Sequence, residues 1–375
     1  MNKKKTLPAL PTGQAGDRQA KIFTIGGATF DIFVQADDQS IISLQTPDSF
    51  KKWLSFPHGG KVKVNQVLEA FGGGATNTAV TFARNGFDVF FVGKVGKEYG
   101  DRVFGNLEKE GVDCRYAKLT SRDKTGFSTI INTFDGDRTL LAYPGANSFF
   151  TTKDLPIAEL KQADWIFLNH IAGGGEDIHK VLMKILKANP KIKLAWNPGK
   201  EQIVQGPKKW KELLKRTEIL FVNKEEAAAF SRVDFMPAGV KKDDPKAHVS
   251  SHRNILPPYA DDVADILKLF AEAGVRNTVI TDGRNGSQAS DGRRHYFCPV
   301  MSHKRVDTLG AGDAFASGFT VAMMKSLPLN TALIYGTLNA GNAVMHPGAQ
   351  NGLLTAKQMT AALRKSEIKV KSTKL

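Results

Sequence analysis

The sequence predicts the α/β class, with a mostly parallel sheet covered on both faces by helices. Three observations lead there. Short apolar runs, KIFTIGG (21–27), WIFLNH (165–170), KIKLAWNP (191–198) and EILFVN (218–223), have the length and composition of strands buried on both faces. Helical patterns fall between them, as in EDIHKVLMKILKAN (176–189) and DDVADILKLFAEAG (261–274), and parallel neighbours need such crossovers. The 375 residues, 41% hydrophobic and 24% charged, can bury a large core without disulfides or a structural metal. Length alone is a soft prior of roughly two to three domains.

Along the chain, residues 1–20, rich in Gly, Pro and polar groups, read as a disordered leader. KIFTIGG is a strand closed by a glycine turn. DIFVQADDQSIISLQTP (31–47) and GKVKVNQVLEAF (60–71) read as short, partly alternating strands. ATNTAVTFARNG is a helix ending at Gly86, DVFFVGKVG a strand and turn, and EYGDRVFGNLEKEG a helix stopped by Gly111. TGFSTIINTFDGDRTLLAYPGAN (125–147) is a hairpin with Asp135-Gly136 as its turn signal. The α/β alternation then runs to NTVITDG (277–283), interrupted by a surface insertion at 232–260. Two helices close it, GAGDAFASGFTVAMMKS and LNTALIYGTLNAGNAVMH.

The net charge is +15. Much of the excess sits at the two ends, residues 1–21 and 357–375, read as solvated basic tails. No nucleic-acid motif accompanies the charge, so no specific nucleic-acid partner is expected. A basic body still attracts polyanionic small molecules such as nucleotides. No apolar run is long enough to cross a membrane, and the N-terminus lacks the apolar stretch of a signal peptide, so no membrane partner and a cytoplasmic location are expected. Cys114 and Cys298 are far apart and form no CxxC, which argues against zinc or redox chemistry.

GxxxxGK[ST], GxGxxG after the first strand, and HExxH are all missing. Nucleotide chemistry would need another phosphate device. Asp307-Thr308-Leu309-Gly310-Ala311-Gly312-Asp313, opening a helix, can supply one. A helix N-terminus presents unpaired N–H groups and the positive end of the dipole, and small residues let an anion approach them. Asp313 in the first turn can cap the helix or take a proton from a bound hydroxyl. A capped helix behind a glycine turn is the plain alternative.

DTLGAGDAFASGF resembles the DTxGAGD motif of the ribokinase-like, or PfkB, carbohydrate kinases. GGGATNTAVTFARNG (72–86) is similar to that family's N-terminal glycine motif, and GGATFD (26–31) to its opening strand-turn. NKEE (223–226) matches NxxE, and TDGRNG (281–286) matches TxGxxG. GDRTLLAYPGAN (136–147) resembles the lid hairpin and the segment after it. The matches fall in the family's order from about residue 21 to 355.

The resemblance implies a ribokinase-like three-layer sandwich over residues 21–356, with a small β lid from about 32–70 and 125–142. It implies an ATP-dependent, Mg²⁺-assisted kinase acting on a sugar hydroxyl. Asp313 would be the general base, and Gly310, Ala311 and Gly312 the anion hole. Asp31, Gly72, Gly73, Asn77 and Asp307 would face the substrate. Asn223, Thr281, Gly283, Gly286 and Asn339 would bind ATP, and Glu226 would serve Mg²⁺ through water. Read singly, Gly72–Gly74 could be only a turn, Asn77 a helix-face residue, Glu226 a solvated acid and Arg138 a solvated strand residue. His170 ends a strand where α/β ligands bind.

The sequence departs from ribokinases at Gly74, where they carry Lys, and at Lys97, where many relatives carry Asp. A monovalent-cation (K⁺) site occurs in the family; HPGAQNG (346–352) keeps its Gly-Ala-Gln but changes the flanks, leaving K⁺ dependence open. The expected assembly is a monomer or a homodimer through the lid. Two other functions stay in view: a nucleoside kinase, which Phe71, Phe127 and Phe134 could favour by offering aromatic surface, and a non-catalytic nucleotide- or nucleic-acid-binding module.

Overall fold

The structure is a computed structural model and describes residues 19–36, 40–46, 49–132, 138–173, 175–232, 263–301 and 306–375. The leader up to residue 18, the Asp135-Gly136 turn, Phe134, Gly174 and all of the 232–260 insertion after Arg232 lie outside the described residues.

The chain opens with strands β1 (Lys21–Ile25), β2 (Thr29–Ala36), β3 (Ser40–Thr46), β4 (Ser49–Ser55) and β5 (Val64–Gly72), then helix α1 (Gly74–Arg84). Next come β6 (Asp88–Val92), β7 (Lys94–Gly96), α2 (Lys97–Lys109), β8 (Lys118–Thr120), β9 (Gly126–Asn132), β10 (Arg138–Tyr143) and the short α3 (Ile157–Leu160). The alternating part is β11 (Trp165–Leu168), α4 (Glu176–Ala188), β12 (Lys193–Trp196), α5 (Lys200–Lys209), α6 (Lys211–Leu214), β13 (Thr217–Asn223), α7 (Lys224–Arg232), α8 (Val263–Glu272) and β14 (Asn277–Thr281). The chain closes with β15 (Ser287–Ser290), β16 (Arg294–Cys298), α9 (Ala311–Met324), α10 (Leu329–Ala343), α11 (Ala356–Lys365) and β17 (Lys371–Lys374).

The central sheet has nine strands in the order β17-β16-β15-β14-β13-β12-β11-β1-β6. From β6 to β14 every pair is parallel, and from β14 to β17 every pair is antiparallel. The period-2 alternation of strand side chains separates two cores. Ile22, Phe167, Phe221 and Val279 point into the layer of α1, α2, α9, α10 and α11. Phe23, Ile166, Leu220 and Ile280 point into the layer of α4 through α8. This is why the central strands read as unbroken apolar runs: both faces are covered.

A second sheet, β10-β9-β2-β5, is built from the regions expected to form the lid. Its two outer pairs are antiparallel, but β2 and β9 run parallel, so the sheet is mixed. β3 and β4 form a separate hairpin. The four-stranded sheet starts earlier and ends later than the expected segments, at Thr29 and at Gly72, because β2 and β5 pair along their whole length.

The basic tail at 357–375 is a correction. Residues 356–365 form a helix that buries Met359 and Leu363, and residues 371–374 add a ninth strand on β16. Ile368 and Val370 pack on one core and Leu375 on the other. The apolar Ile368 and Val370 alternate with lysines in the segment leading into the strand, an anchor that the charge count masks, and lysines on an edge strand discourage further pairing. Deleting residues 366–375 is expected to cost a few kcal/mol, at about 1 kcal/mol for each ladder hydrogen bond, and to promote association through the bared β16 edge. Urea denaturation of the truncated chain checks this; an unchanged midpoint would contradict it.

Candidate active site

Parallel strands end together, so their C-terminal turns gather at one edge of the sheet, where open α/β folds bind ligands. Gly26-Gly27 follows β1, Asn169-His170 follows β11, Asn197 follows β12, and Asn223 and Thr281 end β13 and β14. Helices α1 and α9 begin at the same edge. Two clefts open there; Asp313 lines the first, and Ala311 and Gly312, just before it, line the second.

The first cleft is lined by Gly73, Gly74, Ser128, Asn169, His170 and Asp313, with Tyr143 on the lid side. Asp313 Oδ2 accepts 2.8 Å from Asn77 Nδ2. The Asn77 amide is itself oriented, because its Oδ1 accepts from Gln350 Nε2 at 3.1 Å and Gln350 Oε1 accepts from Asn106. Gln350 is the Gln of HPGAQNG, singled out in the sequence only for a monovalent cation; its hold on Asn77 comes from the packing of its loop against α1. Burial pushes the Asp313 carboxyl up, and the Asn77 hydrogen bond partly opposes this.

Asp31, on β2, is buried, and its Oδ1 has no partner among the described residues. Burial pushes this carboxyl up to about 6, against hydrogen bonds from the Ser128 and Thr29 hydroxyls and with Asp307 adding to the rise. Asn169 Oδ1 is likewise buried and unpartnered. Such orphaned acceptors are costly unless a ligand donates to them. The glycines make room for this set. A Cβ at Gly72 would stand 2.0 Å from Asp31 Oδ2, and one at Gly74 would stand 3.0 Å from Asn169 Oδ1. Gly73 has a φ of 99°, and a Cβ there would stand 2.5 Å from the Gly27 carbonyl, so only glycine suits it.

The raised carboxyl of Asp31 makes stability depend on pH. With its folded pKa above the unfolded value, the native state holds a proton that the unfolded chain has lost between about pH 4 and 6. Stability from this group is complete below that window and falls through it as pH rises. About two pKa units correspond to about 3 kcal/mol. Urea midpoints at pH 4 and 7 should therefore differ less in Asp31→Asn than in the wild type, and an equal difference would count against the buried acid.

The second cleft is lined by Thr281, Gly283, Gly286, Thr308, Ala311 and Gly312, with Phe315, Thr337, Ala340, Gly341 and Val344 as its apolar wall. Gly310 caps α9 in the left-handed region, at φ 71°. A Cβ on Gly312 would meet nothing within 4 Å, so the helix N-terminus is open to an anion.

Asn223 and Glu226 form a reciprocal cap on α7: Asn223 N donates to Glu226 Oε2 at 2.9 Å, and Glu226 N donates to Asn223 Oδ1 at 2.7 Å. The NxxE spacing is thus explained locally by helix capping. Burial pushes the Glu226 carboxyl up. Glu226 also feels Asp313 and His170, so it faces the same edge. His170 Nε2 lies 3.0 Å from Glu201 Oε2, and Gly199 leaves the space for its ring.

Two expected ligand residues hold backbone groups. Asp307 accepts from backbone N–H groups at both carboxylate oxygens, Oδ1 from Leu309 and Oδ2 from Gly348, each at 2.9 Å, so it braces the loop. Asn339 is fully buried; its amide holds Ala314 O and Leu354 N, inside the core. Its helix does wall the second cleft, through Thr337, Ala340, Gly341 and Val344. That i, i+3, i+4, i+7 spacing was the available signal. Arg138 docks on the anion-hole loop, reaching Thr308 Oγ1 and, at 3.7 Å, Asp307 Oδ1.

A carboxylate in a cleft with unpartnered acceptors, at the start of a helix whose N-terminus is open, is an arrangement that suits transfer of a phosphoryl group to an alcohol. The profile of the pfkB family carbohydrate kinases matches residues 42–356, and the chain belongs to that family. It is a ribokinase-family kinase, of a group whose members phosphorylate a sugar or a nucleoside. The chain is 24% identical over 346 residues to the ribokinase of Bacillus subtilis (strain 168), covering 91% of this chain and 99% of that one. It is 25% identical over 288 residues to the aminoimidazole riboside kinase of Salmonella typhimurium, covering 75% and 82%. The solved ribokinase of Giardia lamblia shares the fold, with TM-score 0.71 at 21% identity over 93% of this chain and 99% of that chain. Among the described residues no helix is long and apolar enough to cross a membrane.

Proposed function

We propose that the protein transfers the γ-phosphoryl of ATP to a hydroxyl of a sugar, with Asp313 as general base. One observation carries the reading: Asp313 lines the first cleft and its chain neighbour Gly312 the second, with one Asp313 oxygen held by Asn77 and the other 3.4 Å from where a Gly74 Cβ would be. The sugar sits in the first cleft and donates to Asp31 Oδ1 and Asn169 Oδ1, the two buried acceptors left without partners. Asp313 takes the proton of the attacking hydroxyl. The N–H groups of Gly310 and Gly312 hold the transferring group, joined by that of Ala311 once it releases the Thr308 carbonyl it donates to at 3.3 Å, since phosphoryl transfer needs positioning and charge stabilisation more than covalent help.

The donor set fits Mg²⁺ carried on the phosphates. No cluster of three acidic, His or Cys side chains forms a cage among the described residues. Glu226 would hold the ion through water, as suits a cation that keeps its waters. When bound, Mg²⁺ neutralises charge on the phosphates.

A nucleoside acceptor is the second reading. Phe71 packs on Phe30 and Phe127 on Tyr143, so neither phenyl ring lines the acceptor cleft, but Tyr143 does. Coupled ADP release with Mg-ATP against sugars, sugar phosphates and nucleosides decides between the readings, with an Na⁺-for-K⁺ arm for monovalent cations. Sugar-only turnover supports the proposal and nucleoside-only turnover reverses it. Silence with ATP still bound would favour a binding module.

A further inference from the structure

The anion-hole loop is gripped from two sides. On one side the segment 344–349 holds it: Val344 O accepts from the N–H of Val306 and of Asp307, and Gly348 N donates to Asp307 Oδ2. On the other side lies the lid sheet. Leu309, the residue immediately before Gly310, is half-buried against Phe33 of β2, Ala70 of β5 and Ile130 of β9, a small apolar cluster separate from both main cores. Thr308, next to it, accepts from Arg138, the first residue of lid strand β10. Adjacent residues of one loop therefore carry an apolar and a polar contact to the same sheet. Asp31 lies on that sheet too, two residues before Phe33 on β2.

From this geometry we propose that Leu309 and Arg138 are positioning residues that couple the lid to the anion hole, so that the loop takes its phosphate-binding shape only while the lid rests on it. The inference rests on the kinase reading for its consequence, not for the contact. Leu309 acts by filling the pocket under β2, β5 and β9. Arg138 acts through Thr308, which lines the nucleotide cleft. An acceptor that holds the lid sheet through Asp31 then also holds Gly310–Gly312 in place. With the lid unseated, the N–H groups lose their aim.

Three variants test it: Leu309→Ala, Ile130→Ala from the opposite side, and Leu309→Met, which keeps the volume. The first readout is ADP release with Mg-ATP and the best acceptor of the panel. Leu309→Ala should lower kcat about ten- to a hundredfold, the scale of a small misplacement, with little change in KM for ATP, and Leu309→Met should restore most of it. The second readout needs no turnover. Hydrogen exchange should quicken in lid strands β2 and β9 when Leu309 is cut back, and in residues 306–315 when Ile130 is, with α4 (176–188) unaltered. A wild type that turns over no acceptor would sink the kinase reading, and the exchange pattern would still decide the coupling. Unchanged exchange across the contact, or a rise spread evenly over α4 as well, would overturn the proposal, as would an unaltered kcat.

Discussion

Asp313→Asn is expected to abolish transfer and leave nucleotide binding close to that of the wild type. The substitution is nearly isosteric. An asparagine oxygen can still accept from Asn77 Nδ2, which holds the aspartate at 2.8 Å, so the entrance to α9 keeps its shape. The variant loses the group that can accept the hydroxyl proton. General-base assistance is typically worth about 10²–10⁴ in rate, and kcat should fall by that order. Stability should hold or rise, because a carboxyl whose ionised form burial already disfavours is replaced by a neutral group. Coupled ADP release and calorimetric titration with ATP give the two numbers. Wild-type turnover in the variant would refute the assigned base. Joint loss of turnover and ATP binding would show that Asp313 shapes the anion hole instead.

Gly72→Ala should cripple acceptor binding in a protein that folds normally. The φ of Gly72 is not in the left-handed region, so alanine meets no backbone strain there. The new methyl would lie 2.0 Å from Asp31 Oδ2 and 2.8 Å from Thr29 Oγ1. The obstacle is the end of a side chain, so the carboxylate swings away while the backbone stays. Hydrogen bonds to a charged group are worth about 1.5–3 kcal/mol, or roughly ten- to a hundredfold in affinity. The KM for the acceptor should rise by that factor, with the unfolding midpoint and the KM for ATP little altered. An unchanged acceptor KM would remove Asp31 from the acceptor site.

Much of the fold was legible because its parallel strands are buried on both faces and so read as apolar runs between helical patterns. The strands of the lid were legible as partly alternating runs within 31–47 and 60–71 and the lid itself only through the family resemblance, but its mixed pairing was not. Nothing local tells β2 to take β9 as a parallel neighbour. The C-terminal strand was hidden by charge: Lys371–Lys374 is polar and exposed, and only Ile368 and Val370, in the segment before it, pack on the core. At the site, Asp307 and Asn339 show what a position in the sequence leaves open. Both sit where ligand residues are expected, and each holds a backbone N–H of a distant segment, Gly348 for Asp307 and Leu354 for Asn339, whose proximity no spacing reveals.

By itself, then, the sequence determined the layer architecture, the family through its glycine and aspartate motifs, and the residues at the strand ends and helix starts. Those features depend on local periodicity and on backbone conformations that few residues can adopt. Tertiary structure alone decided which of those residues point into a cleft and which brace it. It left Asp31 and Asn169 with unpartnered acceptors, turned the Asn77 amide toward Asp313 by way of Gln350, and set Leu309 under the lid. Each of these is a contact between residues far apart in the chain, fixed by the packing of one layer on another and by the need to satisfy every buried polar atom that a ligand does not.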